Sequence, residues 1–494
     1  MKIKLIGLGQ CGSFVVYDVI ANVFDQEESS KKIKATPKSQ WRRHFNKAVS
    51  QMRSRSASIT IALKKYFVGL KTPDIPQFFV VDGNSKNAVV DGLLGEEINK
   101  KLGPLQVLVA ALSLADRNNG CNLGQVGEYA FRKEKELGAS SKVFTRLKAG
   151  EQIEINALVF AGGGGSGSGG APVLNEELRN KDSLLFNMLV MPPHHISDLR
   201  QRWNTGRCIM RLATVHKQTA LLLFSNLSES LNDQYYVNRY ISKLIVRLAN
   251  FGYTGNVPKV ATDIDRKDLQ AFFSGMPAFV GMSSMKNDIH EPNETDIEGM
   301  VDQALSLRKK QDTEEHDIKE EDIFGLSIEV PEVLEQMVLR QIRTVMIVIG
   351  LTPKYEGKVN IVDIVKRRVA KRLGTDLGNL DCRAYSYTSP NEIELTVFLR
   401  HSDYRSSFHL DYFLNSYLKW RKSEESESIY LMQKVTKGAD NSFLKEVRMA
   451  LDEDADENFK EWLTEKFKYP IAQDLEPVDP LERTKKVAST SQGD

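Results

Sequence analysis

A run of nine small residues, Gly-Gly-Gly-Gly-Ser-Gly-Ser-Gly-Gly at 162–170, limits what this chain can fold into more than any other feature. It directly follows 154–161, an apolar segment of strand length, and a helix is expected to begin after it at Ala171. A flexible linker is one interpretation, but linkers separate domains, whereas this run joins a strand to a helix. Successive glycine N–H groups can line a concavity that binds phosphate oxygens, and the helix N-terminus adds a positive dipole end. The run therefore predicts a phosphate-binding loop, to which Ser166 and Ser168 add hydroxyl donors.

A shorter glycine turn follows the first predicted strand, at 2–9. Gly7, Gly9 and Gly12 match the Gly-x-Gly-x-x-Gly pattern with which Rossmann folds bind dinucleotides. A nicotinamide oxidoreductase is therefore one alternative, although the pattern alone is weak and such an enzyme needs no second glycine loop. The longer run is not a P-loop either, because no Gly-Lys-Ser or Gly-Lys-Thr follows it.

Apolar runs of strand length alternate with helical segments through the first half of the chain. The remaining predicted strands of this half are 77–84, 184–192 and 219–227. The segment 105–115 fits either a strand or a helix, and helices are predicted at 13–24 and 237–251. This alternation predicts an α/β fold, in which helices cover both faces of a parallel sheet and ligands bind at the carboxyl ends of its strands.

The second half changes to an α+β pattern, which predicts a separate domain. A buried strand is predicted at 344–352 and a helix at 360–373. The segment 383–400 predicts two strands around a Ser-Pro-Asn turn.

Composition excludes some classes of protein. No stretch of about 18 uncharged apolar residues is present, so a transmembrane helix is not expected. The four cysteines form neither a CxxC pair nor a zinc-binding spacing, so no metal site is predicted and a reducing, cytoplasmic setting is expected.

Charge is distributed unevenly along the chain. Residues 31–71 hold twelve Lys and Arg and no Asp or Glu, which leaves a net charge of −10 for the rest of the chain. The stretch 288–322 holds thirteen acids against four bases. The basic insertion could contact DNA, RNA, an adaptor or an anionic membrane surface. A solvated arm that docks on the acidic stretch or on a neighbouring subunit is the interpretation we favour, because charge runs are usually solvated faces.

The two glycine loops together resemble those of the tubulin/FtsZ superfamily of filament-forming GTPases. Gly9-Gln10-Cys11-Gly12 is similar to the first nucleotide loop, and 163–169 is similar to the signature glycine loop, with Ser166 in place of the usual Thr. The resemblance implies that the chain binds GTP or GDP with Mg²⁺. It implies these nucleotide contacts: Gly9, Gln10, Cys11, Gly12, Asp82, Asn84, Gly120, Asn122, Gly124, Gly163, Gly164, Gly165, Ser166, Gly167, Ser168, Gly169, Asn226 and Asn238.

The remaining residues of this set follow one another along the chain in the order of the family's loops. Asp82 and Asn84 end a strand where the second loop lies, and 119–127 resembles the third loop, which contacts the terminal phosphate. Asn226 and Asn238 stand where family members recognise the guanine base. From the residues alone, both asparagines fit ordinary helix caps equally well.

The segment 263–268 resembles the catalytic Asn-x-Asp-x-x-Asp loop of the family, with Asp263 in the Asn position. In the family, this loop enters the nucleotide pocket of the next subunit. The resemblance implies that Asp265 and Asp268 orient and polarise the water that attacks the γ-phosphate. From the residues alone, the same acids fit an N-cap and a first helical turn.

The resemblance therefore implies a head-to-tail homopolymer that hydrolyses GTP between its subunits, for DNA segregation or intracellular positioning. A non-polymerising nucleotide-binding scaffold is the alternative, and the two acids argue against it because assembly is what uses them. The expected architecture is a Rossmann-like parallel-sheet GTPase domain joined by a central helix to an α+β activation domain. The expected segments are a GTP-binding domain at 1–236, a central helix at 237–251, the catalytic loop and activation domain at 252–435, C-terminal helices at 436–470 and a disordered tail at 471–494.

Overall fold

A computed structural model describes parts of both halves of the chain, including most of the predicted motifs. The described residues are 2–25, 77–82, 107–111, 123–148, 153–179, 183–193, 199–215, 220–226, 231–251, 264–273, 276–286, 292–307, 324–329, 335–340, 342, 344–352, 355, 359–386, 392–401, 410, 412–414 and 416–417. The basic insertion 31–71, the predicted C-terminal helices 436–470 and the predicted tail 471–494 lie outside them. Among the described helices, none has the length and apolarity needed to cross a membrane.

The strands of the described chain form one sheet. In chain order they are β1 Ile3–Leu8, β2 Gln77–Asp82, β3 Val107–Ala111, β4 Ile155–Ala161, β5 Leu184–Met191, β6 Ala220–Ser225, β7 Pro277–Lys286, β8 Gly325–Leu326, β9 Thr344–Leu351, β10 Leu380–Ser386 and β11 Glu392–Arg400. Their order across the sheet is β10-β9-β11-β7-β6-β5-β4-β1-β2-β3, with β8 paired to β7. All pairs from β7 to β3 along this path are parallel, and β11 is antiparallel to both of its neighbours. The predicted α/β fold with a large parallel sheet is confirmed.

Helices cover both faces of this sheet. They are α1 Gly9–Asp25, α2 Gly124–Glu136, α3 Lys142–Lys148, α4 Gly165–Leu178, α5 Leu199–Val215, α6 Leu231–Asn250, α7 Arg266–Phe273, α8 Glu294–Ala304, α9 Glu335–Arg340 and α10 Val359–Leu373. Side chains alternate across each strand, so Leu5 joins one core with α1, α6 and α7, while Ile6 joins the other core with the remaining helices. Both cores consist almost wholly of aliphatic and aromatic residues, which explains why the strands are continuous apolar runs in the sequence.

The central helix α6 fastens the two halves of the sheet together. It begins at Leu231, six residues before the predicted start. The Tyr240 hydroxyl donates to the carbonyl oxygens of Val280 (2.9 Å) and Gly325 (2.7 Å). Arg247 is buried and donates to Leu395 O at 2.6 Å and to Ser283 O at 2.8 Å. These bonds satisfy buried polar groups of α6 with backbone from the second half and so attach the helix to that half.

Three elements differ from the sequence-based expectation or resolve it. The ambiguous segment 105–115 contains strand β3 at the edge beside β2. The two strands predicted within 383–400 form, but β9 lies between them, so β10 and β11 do not pair as a hairpin. Helix α4 begins at Gly165 and not at Ala171, because its glycines pack against α2 in a contact that a propensity argument does not consider.

Candidate nucleotide-binding site

The two glycine loops lie at a topological switch point of the sheet. Strands β1 and β4 are parallel neighbours, with Leu8 beside Phe160 near their carboxyl ends. From β1 the chain continues through α1 on one face, and from β4 it continues through α4 on the opposite face. Open α/β sheets bind ligands outside the carboxyl ends of the strands at such points. The fold therefore provides a binding crevice where the glycine loops were predicted to act.

The loops also touch each other. Gly9 has φ +65°, a left-handed conformation that favours glycine, and a Cβ built on it would lie 3.4 Å from Gly167 N and 3.5 Å from Ser166 Cβ. The first turn of α1 lies even closer to β4, because a Cβ on Gly12 would be 2.2 Å from Val159 O. The N-termini of α1 and α4 thus converge on one place, and the first N–H groups of each helix have no intrahelical acceptor. This arrangement suits an anion such as a phosphate group.

The end of the predicted third loop reaches the same place through helix α2. A Cβ on Gly127 would lie 2.2 Å from Gly165 O, and a Cβ on Gly169 would lie 2.2 Å from Gly124 O. Glycines on both helices therefore allow backbone-to-backbone contact between α2 and α4. Of the predicted contacts in this loop, Gly124 lies beside the signature loop, while Gly120 and Asn122 lie outside the described residues.

The polar side chains of the two glycine loops differ in what they can offer a ligand. Gln10 is exposed and Ser166 is half-buried. The Ser168 hydroxyl is buried and donates to the carbonyl oxygen of Gly164, the N-cap of α4, and its role as a phosphate donor stays a prediction. Burial raises the pKa of the Cys11 thiol to about 12, so this side chain stays neutral beside any bound anion.

The predicted base-recognition residues lie at the end of β6 and near the start of α6. The Asn226 backbone N–H donates to Met191 O at 3.2 Å, while its side-chain oxygen is buried and has no partner among the described residues. A buried acceptor without a partner is costly, so this oxygen fits a ligand that carries N–H donors, as guanine does. Asn238 is 7% exposed. Asp82 ends β2 as predicted, and Asn84 lies outside the described residues.

A buried ionic cluster stands behind the glycine loops and was not predicted. Glu128 of α2 is fully buried and contacts Arg207 at 2.5 Å, Arg132 at 2.9 Å and Arg211 at 3.5 Å. Burial alone would raise the pKa of Glu128, but the three guanidinium groups outweigh it and lower that pKa to about 2. The carboxylate therefore stays ionised and ties α2 to α5.

Asp265 and Asp268 lie at the start of α7. Asp265 N donates to Asp268 Oδ2 and Asp268 N donates to Asp265 Oδ1, both at 2.9 Å, so the pair forms a reciprocal helix cap. Asp268 also contacts Arg383 of β10 at 3.2 Å. The capping interpretation is therefore seen in the structure, and Asp265 is exposed.

The two acids lie far from the glycine loops of their own chain. Helix α7 leads into the amino end of β7 and packs near the amino end of β5, where Phe273 contacts Phe186 with ring centres 5.0 Å apart. The glycine loops follow the carboxyl ends of β1 and β4, which run parallel to β5, β6 and β7. The length of a strand, roughly 20 Å, therefore separates the acids from the loops. One chain therefore does not bring the predicted catalytic acids and the glycine loops together.

Within the described part of the chain, no group of three or more His, Cys, Asp and Glu side chains could hold a metal ion. Mg²⁺ in nucleotide sites is held mostly by phosphate oxygens, water and one or two carboxylates. A protein-only cage is therefore not what this kind of site requires.

The close contact between α2 and α4 gives a stability prediction. Gly169→Ala would place a methyl group against the backbone of Gly124 and Glu128, so we expect it to lower the free energy of unfolding by about 1–3 kcal/mol. Gly164→Ala is the matched control in the same loop, because a Cβ there has nothing within 4 Å and the backbone has φ −88°. Urea unfolding monitored by circular dichroism measures both. Equal stability of the two variants would contradict this packing.

Comparison with known proteins supports the fold. The tubulin-like protein CetZ of Pyrococcus furiosus is 28% identical over 158 residues, which are 31% of this chain and 43% of that relative. The CetZ of Pyrococcus horikoshii matches equally well. The match thus spans less than half the length of these curated relatives. No protein-family model matches the chain.

Solved structures cover more of the chain. CetZ2 from Haloferax volcanii, a GTPγS-bound protofilament, matches with a TM-score of 0.52 and 17% identity over 85% of this chain and 100% of its own. CetZ from Methanosaeta thermophila matches with a TM-score of 0.53 and 13% identity over 91% and 99%. At these identities the structures establish the fold. The chain therefore has the fold of the tubulin-like CetZ proteins and is similar in sequence to two of them over 31% of its length.

Proposed function

We propose that this chain binds GTP or GDP, polymerises head to tail and hydrolyses GTP at the joint between subunits. The observation that carries the proposal is the convergence of Gly9 on Ser166 and Gly167 at the switch point of the sheet. The N-termini of α1 and α4 receive the phosphates there, with Ser166 as the hydroxyl donor. The CetZ2 protofilament binds GTPγS, which supports the nucleotide assignment.

The remaining proposed contacts surround this phosphate site. Asn226 and Asn238 recognise guanine, since amide groups pair with its edge and the Asn226 oxygen lacks a partner in the described chain. We assign Asp82 and Gly124, at the end of the third loop, to the phosphate end of the nucleotide, where a bound Mg²⁺ would offset the phosphate charge.

Assembly follows from the separation of the two parts of the active site. Phosphoryl transfer needs a positioned water and charge stabilisation within a few ångströms of the phosphate. Asp265 and Asp268 lie too far from the glycine loops of their own chain, so a second copy must supply them. A head-to-tail homopolymer places the exposed start of α7 of one subunit over the glycine loops of the next. DNA segregation or intracellular positioning is the role that we propose for such filaments.

The rate of hydrolysis at different protein concentrations tests the shared site. We expect GTP turnover per subunit to rise steeply with protein concentration and to level off once polymer dominates, because only an assembled joint contains both parts. Phosphate release and sedimentation are measured on the same samples. A full rate in dilute monomer would exclude the shared site. Tight GTP binding without sedimentation or turnover would favour a non-polymerising scaffold.

A further inference from the structure

One buried amide joins the two loops that surround the proposed phosphates. Asn204 of α5 is fully buried. Its Oδ1 accepts a hydrogen bond from Gly124 N at 2.9 Å, and its Nδ2 donates to Gly163 O at 3.0 Å. Gly124 ends the third loop and opens α2, whereas Gly163 lies in the turn before α4. This side chain therefore bridges two loops that lie far apart in sequence, in addition to the glycine contacts between α2 and α4.

The chemistry of these bonds requires an amide. An aspartate would keep the acceptor for Gly124 N but lose the donor to Gly163 O, and an alanine would lose both. The Gly124 N–H is one of the N-terminal donors of α2 that has no intrahelical acceptor, so losing its partner leaves a buried donor unsatisfied.

Neighbouring residues of α5 seat this amide against the signature loop. The hydroxyl of Thr205 donates to Gln201 O at 2.7 Å, which fixes its rotamer. A Cβ on Gly162 would lie 2.9 Å from the Thr205 side chain, and one on Gly163 would lie 3.2 Å from Gln201. The loop backbone thus lies directly on α5.

Helix α5 is also supported by contacts of its own with α2 and with Phe413 and Tyr417. Trp203 donates from Nε1 to Gln125 Oε1 at 3.4 Å, and its ring lies 4.6 Å from the ring of Tyr417. A Cβ on Gly206 would lie 2.3 Å from Phe413 O and 2.6 Å from the Tyr417 Cβ, so these two residues pack closely on the helix. Asn204 therefore projects from a supported helix and not from a loop.

We infer that Asn204 is a positioning residue that holds the third loop and the signature glycine loop at the separation a nucleoside triphosphate requires. This inference rests on the proposed function, in which the third loop contacts the terminal phosphate. Asn204 acts through Gly124 and Gly163 and does not touch the nucleotide. Because a diphosphate lacks the group that reaches the third loop, its binding depends less on the separation of the two loops.

Nucleotide affinities of Asn204 variants test this inference. GTPγS and GDP dissociation constants are measured on the full chain below the concentration at which it assembles. We expect Asn204→Asp to weaken GTPγS binding about tenfold and GDP binding less than threefold. Asn204→Ala is expected to weaken both more strongly, and again to weaken GTPγS binding more than GDP binding. Arg202→Ala is the matched control, because Arg202 of the same helix lies over the ring of Tyr412, 5.3 Å from its centre. It is expected to leave the GTPγS-to-GDP ratio unchanged.

The outcomes distinguish a failure of the proposed function from a failure of the positioning role of Asn204. If the unaltered chain binds neither nucleotide, the proposed function fails. If it binds both and the Asn204 variants weaken them equally, the positioning role fails alone. If both Asn204 variants do not fold, Trp203→Phe takes their place, since it removes the indole donor that ties α5 to Gln125 and keeps an aromatic ring beside Tyr417. The ratio of the GTPγS dissociation constant to the GDP dissociation constant is then expected to rise about threefold, and an unchanged ratio overturns the inference.

Discussion

Replacing Asp268 by alanine is expected to reduce GTP turnover by about 100-fold or more while filaments still form. A positioned acid or base contributes 10²–10⁴-fold to a rate, and a 100-fold loss is about 2.7 kcal/mol of barrier. Assembly depends on a much larger surface than one carboxylate, so it is expected to survive. Phosphate release and sedimentation of the same reaction measure the two properties separately.

Asp268 also has a structural role, so the prediction needs a control for helix capping. Asp296 stands in the same position of the cap of α8, where Asn293 N donates to its carboxylate at 3.1 Å and Asp296 N donates to Asn293 Oδ1 at 2.9 Å. Loss of either cap is expected to cost about 1 kcal/mol of stability. Asp296→Ala is therefore expected to match Asp268→Ala in stability and to keep normal turnover. Filaments of Asp268→Ala that hydrolyse GTP at near-normal rates would remove this residue from the reaction.

Local apolar runs predicted the strands β1, β2, β4, β5, β6 and β9, whereas β3 stayed ambiguous between strand and helix and β8 was not predicted. β1, β4, β5 and β6 are buried on both faces, so their composition alone marks them. The pairing of β9 between β10 and β11 could not be predicted, because a turn signal reports where the chain reverses and not which strand it reaches.

The start of α4 shows the same limit at the site itself. Glycine disfavours helix in isolation, and this first turn forms because Gly127 and Gly169 let α2 and α4 approach to backbone contact. Asn204 and Glu128 were missed for a related reason. Each lies in an amphipathic helix where a polar residue suggests exposure, and each meets a partner about 80 positions away, Gly124 and Arg207 respectively. Only the folded chain shows that both are buried. The capping and catalytic interpretations of Asp265 and Asp268 were both open from sequence, and capping is the one that a single subunit displays.

Replacing Glu128 by glutamine is expected to cost about 3–5 kcal/mol of stability at neutral pH. The variant keeps the shape of the side chain but leaves the largely buried Arg207 and Arg211 without the carboxylate, whereas Arg132 still pairs with Glu176. Breaking a buried ion pair by removing one partner has a cost of this size, because the remaining charges stay desolvated. Glu136→Gln is the control in the same helix, since this side chain is 61% exposed and its pairing with Lys133 is expected to contribute under about 1 kcal/mol.

Acid should remove the same stabilisation from the unaltered protein. The folded pKa of Glu128 is lowered to about 2, whereas an unfolded glutamate titrates near 4.3, so its contribution is complete above about pH 5. Between these two pKa values the unfolded chain binds one more proton than the folded chain. As the pH falls through this range, this group lowers the free energy of unfolding by about 1.4 kcal/mol per pH unit. We expect urea unfolding between pH 5 and pH 3 to show a steeper loss in the unaltered chain than in Glu128→Gln, with a difference approaching one proton in slope. Because other carboxyl groups titrate equally in both chains, the difference in slope belongs to Glu128. Identical slopes would mean that the three arginines do not lower the pKa of Glu128 in the folded protein.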